Sequence, residues 1–174
     1  MRITILGAGN IGLAAGTKWK AKGHDITFGV RDPQSQKAWN AINIGAKVTT
    51  FQESMTDAEV VLVAIPFGVA DEVLKSIDVE WDGKIIIDAT NPISVSTEPF
   101  ESAAEAISAW TGSADVVKAF NTTGVGNMTN PEYNGKAIET FICGDEVASK
   151  QTVSTLAQDL GFRVVDVGGI ENAV

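Results

Sequence analysis

Short runs of β-branched and aliphatic residues alternate with longer amphipathic segments along nearly the whole chain. Such alternation predicts an α/β fold, a doubly wound and mostly parallel sheet with helices on both faces. No linker-like segment interrupts the pattern, so residues 1–174 are predicted to form a single domain. Strands are predicted at 2–6, 25–30, 47–50, 59–66, 84–90, 115–121, 137–143 and 162–167, and helices at 10–22, 33–43, 69–77, 98–110 and 146–160.

The first predicted strand runs into the turn GAGNIG (residues 7–12), which opens the first predicted helix. Gly7 permits a tight turn, Gly9 lets the backbone approach a pyrophosphate, and Gly12 lets the helix pack on the strand. The free amides at the start of the helix favour a phosphate group. An ordinary βα turn that contains glycine is the alternative. The surrounding strand-helix-strand unit favours a Rossmann-type dinucleotide site formed by Gly7, Ala8, Gly9, Asn10, Ile11 and Gly12.

The end of the second predicted strand bears on which dinucleotide is bound. Asp32 stands about 20 residues after the glycine turn, where an acidic residue would bind the ribose of NAD. Strand alternation, however, places Val30 at the strand tip with Arg31 next, and a guanidinium can bind a 2′-phosphate. Asp32 would then point aside or cap a helix that begins at Pro33. We predict NADP(H); an idle Arg31, with Asp32 binding NAD(H), remains the alternative.

Composition excludes several other partners. The chain has 13 basic and 22 acidic residues, a net charge of −9, and its basic residues do not cluster. We therefore expect neither nucleic acid nor an anionic membrane as a partner. A single cysteine, Cys143, suits a reducing cytoplasm, and no segment approaches the roughly 20 apolar residues of a membrane helix. No cluster of histidine and cysteine predicts a metal site.

Six motifs, GAGNIG, GVRDP, VAIP, DATNP, VVKAFNT and FICGD, together resemble the NADP-dependent oxidoreductase family named for the deazaflavin coenzyme F420. The resemblance covers nearly the whole chain. The chain is also similar to the cytosolic NADPH-oxidising domain of the six-transmembrane metalloreductases. VVKAFNT and DATNP are closer to that domain and its bacterial single-domain relatives than to the archaeal F420 enzymes. The resemblance implies NADP(H) as the cofactor, with a flavin or F420 as co-substrate.

The resemblance also implies roles for individual residues. Val30 and Arg31 would flank the phosphate of the adenosine half. The predicted ends of three parallel strands, where open α/β sheets bind ligands, would hold the nicotinamide half. A plain turn after a strand explains Asn91 and Pro92 equally well on sequence alone. The implied residues of the nicotinamide half are Ala64, Ile65 and Pro66 at the ribose and Asn91, Pro92, Lys118, Ala119, Phe120 and Asn121 at the ring.

The sequence identifies no catalytic residue. This scarcity of acid-base groups favours hydride transfer between two stacked rings, a reaction in which the cofactors carry the chemistry. We predict an NADPH-dependent oxidoreductase that transfers hydride between NADP(H) and a flavin or deazaflavin acceptor. The alternatives are a reductase of a small imine or carbonyl compound and a non-catalytic NADP-binding module that acts through a partner. The last predicted strand would leave an uncovered edge, so we expect a homodimer.

Overall fold

A computed structural model describes residues 1–174 and contains ten strands and seven α-helices. The strands are β1 (Arg2–Leu6), β2 (Asp25–Val30), β3 (Lys47–Thr50), β4 (Val60–Val63), β5 (Ile85–Asp88), β6 (Val116–Ala119), β7 (Glu132–Tyr133), β8 (Lys136–Ala137), β9 (Glu139–Cys143) and β10 (Arg163–Asp166). The helices are α1 (Asn10–Ala21), α2 (Gln36–Asn43), α3 (Phe51–Ser54), α4 (Phe67–Ser76), α5 (Ala103–Thr111), α6 (Val125–Thr129) and α7 (Val147–Leu160), followed by a 3-10 turn at Ile170–Asn172.

Eight strands form one sheet in the order β10-β9-β6-β5-β4-β1-β2-β3. The strands from β3 to β6 in this order are all parallel, which confirms the predicted Rossmann-type arrangement. Strand β9 is antiparallel to β6, and β10 is parallel to β9, so one edge of the sheet runs in the reverse direction. The strand order reverses between β1 and β4. Open α/β sheets bind ligands in the crevice beyond the carboxyl ends of the strands at such a switch point.

The core lies on both faces of the sheet, and successive residues of β4 show this directly. Val60 and Leu62 pack into one apolar cluster with α1 and α7, whereas Val61 and Val63 pack into another with α4 and α5. All four side chains are buried, as expected for a central strand that is covered on both faces. Trp19 of α1 is fully buried, and its indole Nε1 donates to the Leu156 carbonyl at 2.8 Å. No helix has the length and apolar character that crossing a bilayer requires.

Two helices begin later than the sequence predicted, because side-chain hydrogen bonds set their first residues. The Asp32 carboxylate accepts from the Gln34 amide at 2.9 Å, and the Ser35 hydroxyl caps α2, so this helix begins at Gln36 instead of Pro33. Ser102 likewise caps α5, and the predicted first turn at 98–102 is irregular. Both caps are local interactions of the kind that commonly start helices.

Other differences concern short elements. The predicted strand 59–66 ends at Val63, and residues 64–66 leave the sheet. The glycine-rich segment after β6 contains α6 and the β7–β8 hairpin, and α3 follows β3 directly. A capping box between Thr50 and Glu53 starts α3. Helices and strands of two to five residues carry too little hydrophobic periodicity to be recognised from a sequence pattern.

Candidate dinucleotide site

A cleft of about 560 Å³ opens at the carboxyl ends of β1, β2, β4 and β5. We call its two extremities the β2 end and the β5 end, after the strands that terminate there. Eleven residues predicted from the sequence line it: Gly7, Ala8, Gly9, Asn10, Ile11, Val30, Arg31, Ala64, Ile65, Pro66 and Asn91. Seven further residues complete the lining: Ser35, Lys37, Phe51, Val69, Val73, Ala89 and Thr90.

The three glycines of the turn between β1 and α1 have different surroundings. Gly7 has a φ of 103°, and a Cβ there would lie 2.7 Å from the Ala64 carbonyl oxygen. Gly12 is buried and does not line the cleft, and a Cβ there would overlap the Gly7 carbonyl oxygen. Gly9 has an extended backbone, and no atom lies within 4 Å of where its Cβ would be. A side chain at Gly9 would therefore project into the cleft and not into the protein.

The start of α1 at this turn is suited to an anion. Gly9 is the N-cap, and no side chain caps the helix. The first amides of an α-helix have no partner within the helix, and the helix dipole places partial positive charge there. Because Gly9 leaves the approach to these amides open, the turn fits the diphosphate of a dinucleotide.

The β2 end of the cleft carries two exposed cations. Arg31 follows the last residue of β2, and Lys37 lies in the first turn of α2. Neither side chain forms an ion pair, and both are free to bind a phosphate. Asp32 does not line the cleft, because its carboxylate is turned toward the Gln34 amide. Lys37 was missed from the sequence, since a lysine in the first turn of an amphipathic helix has no distinctive pattern.

The β5 end lies above a buried ion pair. Lys118 Nζ lies 2.8 Å from Asp88 Oδ2, and the two side chains are 4% and 0% exposed. Lys118 Nζ also donates to the Thr90 carbonyl at 2.6 Å, and the Thr90 amide donates to Asp88 Oδ1 at 2.8 Å. No sequence pattern predicts this pair, because the two residues stand 30 positions apart. They meet because β5 and β6 are adjacent and parallel.

The structure does not bring the residues predicted at the end of β6 to the cleft. Lys118, Ala119 and Phe120 are all buried, and none of them lines it. Phe120 has a φ of 71°, and its ring packs against Trp19 and Phe162 at centroid distances of 6.4 and 6.2 Å. The chain thus turns into the core at the point where the sequence predicted contact with the nicotinamide ring.

Asn121, Pro92 and Cys143 also lie away from the cleft. Asn121 lines a separate cavity of about 50 Å³ beside Lys118 and Cys143. Pro92 is half-buried and does not line the cleft, although the preceding Asn91 does. Burial raises the pKa of the Cys143 thiol, which is 2% exposed, and this environment suits a small buried hydrophobe and not a nucleophile.

A family of known proteins matches the part of the chain that forms the cleft. The profile of the family described as "NADP oxidoreductase coenzyme F420-dependent" matches residues 2–92, from β1 through the β5 end of the cleft. The F420-dependent NADP reductase of Methanothermobacter marburgensis is 28% identical, over 99% of this chain and 86% of that protein. The rat metalloreductase STEAP3 is 29% identical over 99% of this chain. The match spans only 35% of that protein.

Solved structures show the same fold. A putative F420-dependent NADP reductase from Arthrobacter sp. FB24 superposes with a TM-score of 0.82 and is 27% identical, over 99% of this chain and 87% of that one. The hypothetical protein SMa0349 from Sinorhizobium meliloti superposes with a TM-score of 0.86 at 24% identity, over 99% of this chain and 87% of that one. A reductive aminase from Aspergillus terreus, solved with NADPH4, cyclohexanone and allyl amine, shares the fold with a TM-score of 0.74 at 17% identity. This chain spans 56% of that enzyme.

Proposed function

Because this chain belongs to the coenzyme F420-dependent NADP oxidoreductase family, we propose that it transfers hydride between NADP(H) and a flavin or deazaflavin acceptor. The observation that carries this proposal is the continuous cleft from the two unpaired cations of the β2 end, past the Gly9 turn, to the β5 end. Its lining combines a site for a 2′-phosphate, a site for a diphosphate and a weakly polar surface for a ring.

The size of the cleft supports a dinucleotide. The strands β2, β1, β4 and β5 are successive neighbours in the sheet, and adjacent strands lie about 4.8 Å apart. Their ends therefore span roughly 14 Å, which accommodates two nucleotides joined by a diphosphate. In this arrangement Arg31 and Lys37 bind the 2′-phosphate, the first amides of α1 bind the diphosphate, and the β5 end receives the nicotinamide. Bound NADPH supplies the hydride.

The chemistry of the β5 end favours a ring acceptor over an alcohol or ketone. An alcohol dehydrogenase needs a proton acceptor beside the carbinol. Here the two ionisable groups nearest the end of β5, Asp88 and Lys118, are buried and paired with each other. Among the lining residues, Pro66 is exposed and Ala89 is half-buried, and these two offer an apolar surface to a flat ring. Exclusion of water and alignment of two rings are what these residues can contribute.

A direct assay tests the proposal. The protein is mixed with NADPH under anaerobic conditions, and nicotinamide absorbance is followed as riboflavin, FMN, FAD, F420, a ferric chelate, a cyclic imine and a ketone are added in turn. Turnover with a flavin or F420 is the expected result. Oxidation only by an imine or ketone would replace this proposal with a small-molecule reductase. Tight NADPH binding without turnover for any compound would favour a binding module.

We also propose that the protein is a cytoplasmic homodimer. Strand β10 stands at the edge of the sheet and pairs only with β9, and an unpaired edge favours association with another chain. A second copy whose β10 lies beside that of the first would cover the β10 edge of both copies symmetrically. Light scattering over a wide range of concentrations should give twice the chain mass, and a constant monomer mass would refute the dimer.

A further inference from the structure

The backbone of Thr90 is held at both of its polar groups by one buried ion pair. Its amide donates to Asp88 Oδ1 at 2.8 Å, and its carbonyl accepts from Lys118 Nζ at 2.6 Å. Lys118 and Asp88 are joined to each other at 2.8 Å. We call these three residues the Thr90 clamp. Because the clamp holds both the amide and the carbonyl of Thr90, the backbone at this residue has little freedom to move. The position of the Thr90 side chain is limited accordingly.

The hydroxyl of Thr90 has no partner in the protein. Thr90 is 2% exposed and lines the cleft, and its Oγ1 is buried without a hydrogen bond. A hydroxyl removed from water without a partner destabilises a protein, so buried hydroxyls are nearly always hydrogen-bonded. The clamp uses the amide and the carbonyl of Thr90 but not its hydroxyl, and Thr90 is the member of the clamp that lines the cleft.

We propose that the Thr90 hydroxyl hydrogen-bonds the nicotinamide-riboside half of a bound dinucleotide, and that Asp88 and Lys118 are positioning residues that hold it there. This inference rests on the proposed function of the cleft as an NADP(H) site. Thr90 follows β5, about 14 Å across the sheet from Arg31, so it lies at the end opposite the 2′-phosphate. The ribose hydroxyls and the carboxamide of that half all contain both donors and acceptors of hydrogen bonds, so either can pair with a threonine hydroxyl.

Removal of the hydroxyl should have opposite effects on the free protein and on binding. Thr90→Val keeps the shape of the side chain and deletes an unsatisfied polar atom, so the melting temperature of the free protein should rise by about 2–4 °C. The same variant should bind NADPH about 3- to 10-fold more weakly, as expected for the loss of one neutral hydrogen bond. Affinity for adenosine 2′,5′-bisphosphate, which lacks the nicotinamide half, should not change.

Thr140 offers a matched control. It lies on β9, is fully buried, and also has an Oγ1 without a partner, but it does not line the cleft. Thr140→Val should raise the melting temperature as Thr90→Val does and leave NADPH affinity unchanged. Thr90→Ser, which retains the hydroxyl, should bind NADPH nearly as the unaltered protein does.

Calorimetric titration with NADPH and with adenosine 2′,5′-bisphosphate separates the outcomes. Unchanged NADPH affinity in Thr90→Val, or an equal loss for both ligands, would overturn the inference while the proposed function stands. Failure of the unaltered protein to bind NADPH would instead refute the proposed function. If Thr90→Val does not fold, Thr90→Ala permits the same comparison of the two ligands.

The positioning role of the ion pair has its own test. The double variant Asp88→Asn/Lys118→Met replaces two charges with neutral side chains of similar shape and removes the bond to the Thr90 carbonyl. It should lose about 3- to 10-fold in NADPH affinity and retain its affinity for adenosine 2′,5′-bisphosphate. Normal NADPH binding by the folded double variant would show that the Thr90 hydroxyl needs no clamp.

Discussion

The two ends of the cleft differ in how they use charge. At the β2 end, Arg31 and Lys37 are exposed and unpaired, so their charges are available to a ligand. At the β5 end, Asp88 and Lys118 are buried and neutralise each other. One cleft can therefore combine two kinds of surface. Exposed charges at the β2 end can bind a charged ligand, but solvent and salt weaken that binding. The buried ion pair at the β5 end has no net charge, and solvent and salt do not reach it.

The largest expected effect belongs to the buried pair. Asp88→Asn leaves the Lys118 ammonium buried without a counter-charge, so the free energy of unfolding should fall by about 3–5 kcal/mol. Denaturant unfolding measures this change. Glu139→Gln is the control, because it removes one partner of the exposed Arg163–Glu139 pair and should lower stability by at most about 1 kcal/mol. Equal losses in the two variants would mean that the Asp88–Lys118 pair behaves as a surface contact.

The next effect concerns the turn between the two ends. Gly9→Val should weaken the binding of NADPH and NADH by at least roughly 100-fold, about 2.7 kcal/mol, because its side chain would occupy the diphosphate site. The fold should persist, since no protein atom lies within 4 Å of a Cβ at Gly9. Gly124 is also an extended N-cap with open space around its Cβ, but it lies outside the cleft lining. Gly124→Val should therefore bind NADPH normally; near-normal binding by folded Gly9→Val would disprove the diphosphate site.

A smaller effect tests the β2 end. Arg31→Ala removes a charge-assisted contact typically worth about 1.5–3 kcal/mol, a 10- to 150-fold loss of NADPH affinity. Exposure of Arg31 favours the lower part of that range. NADH binding should change little. If Asp32 instead binds the ribose of NADH, the unaltered protein should prefer NADH, and Asp32→Ala should be the variant that loses affinity. Calorimetric titration of both variants with NADPH and NADH distinguishes the two assignments.

The smallest effect separates Lys37 from other exposed lysines. Lys37→Ala should weaken NADPH binding about 2- to 5-fold, as expected for an exposed ionic contact. Lys22→Ala, at the far end of α1, is the control and should leave the affinity unchanged. Added salt should weaken NADPH binding more than NADH binding in the unaltered protein, because it screens the two exposed cations. An equal salt response for both cofactors would contradict recognition of the 2′-phosphate at the β2 end.

Local sequence was sufficient to predict the glycine turn and the position of Arg31, although not Lys37. Gly7, Gly9 and Gly12 act within one turn, and Arg31 follows the strand that the turn leads to, so their spacing along the chain determines their geometry. Short continuous apolar runs were likewise sufficient to predict the central parallel strands, because a strand buried on both faces is apolar along its whole length. The start of α2 was misplaced, since Pro33 suited a first turn but the Ser35 cap determined it.

The tertiary structure alone decided the arrangement at the β5 end of the cleft. Asp88, Thr90 and Lys118 come together because β5 and β6 are neighbours in the sheet, and no local spacing encodes that contact. The reversed direction of β9 and the inward turn at Phe120 likewise depend on packing of distant segments. A glycine turn is determined by steric limits within a few residues, whereas a buried charge is stable only beside a counter-charge brought by another strand. The sequence therefore determined the glycine turn and the position of Arg31, and the folded sheet decided what lies at the β5 end of the cleft.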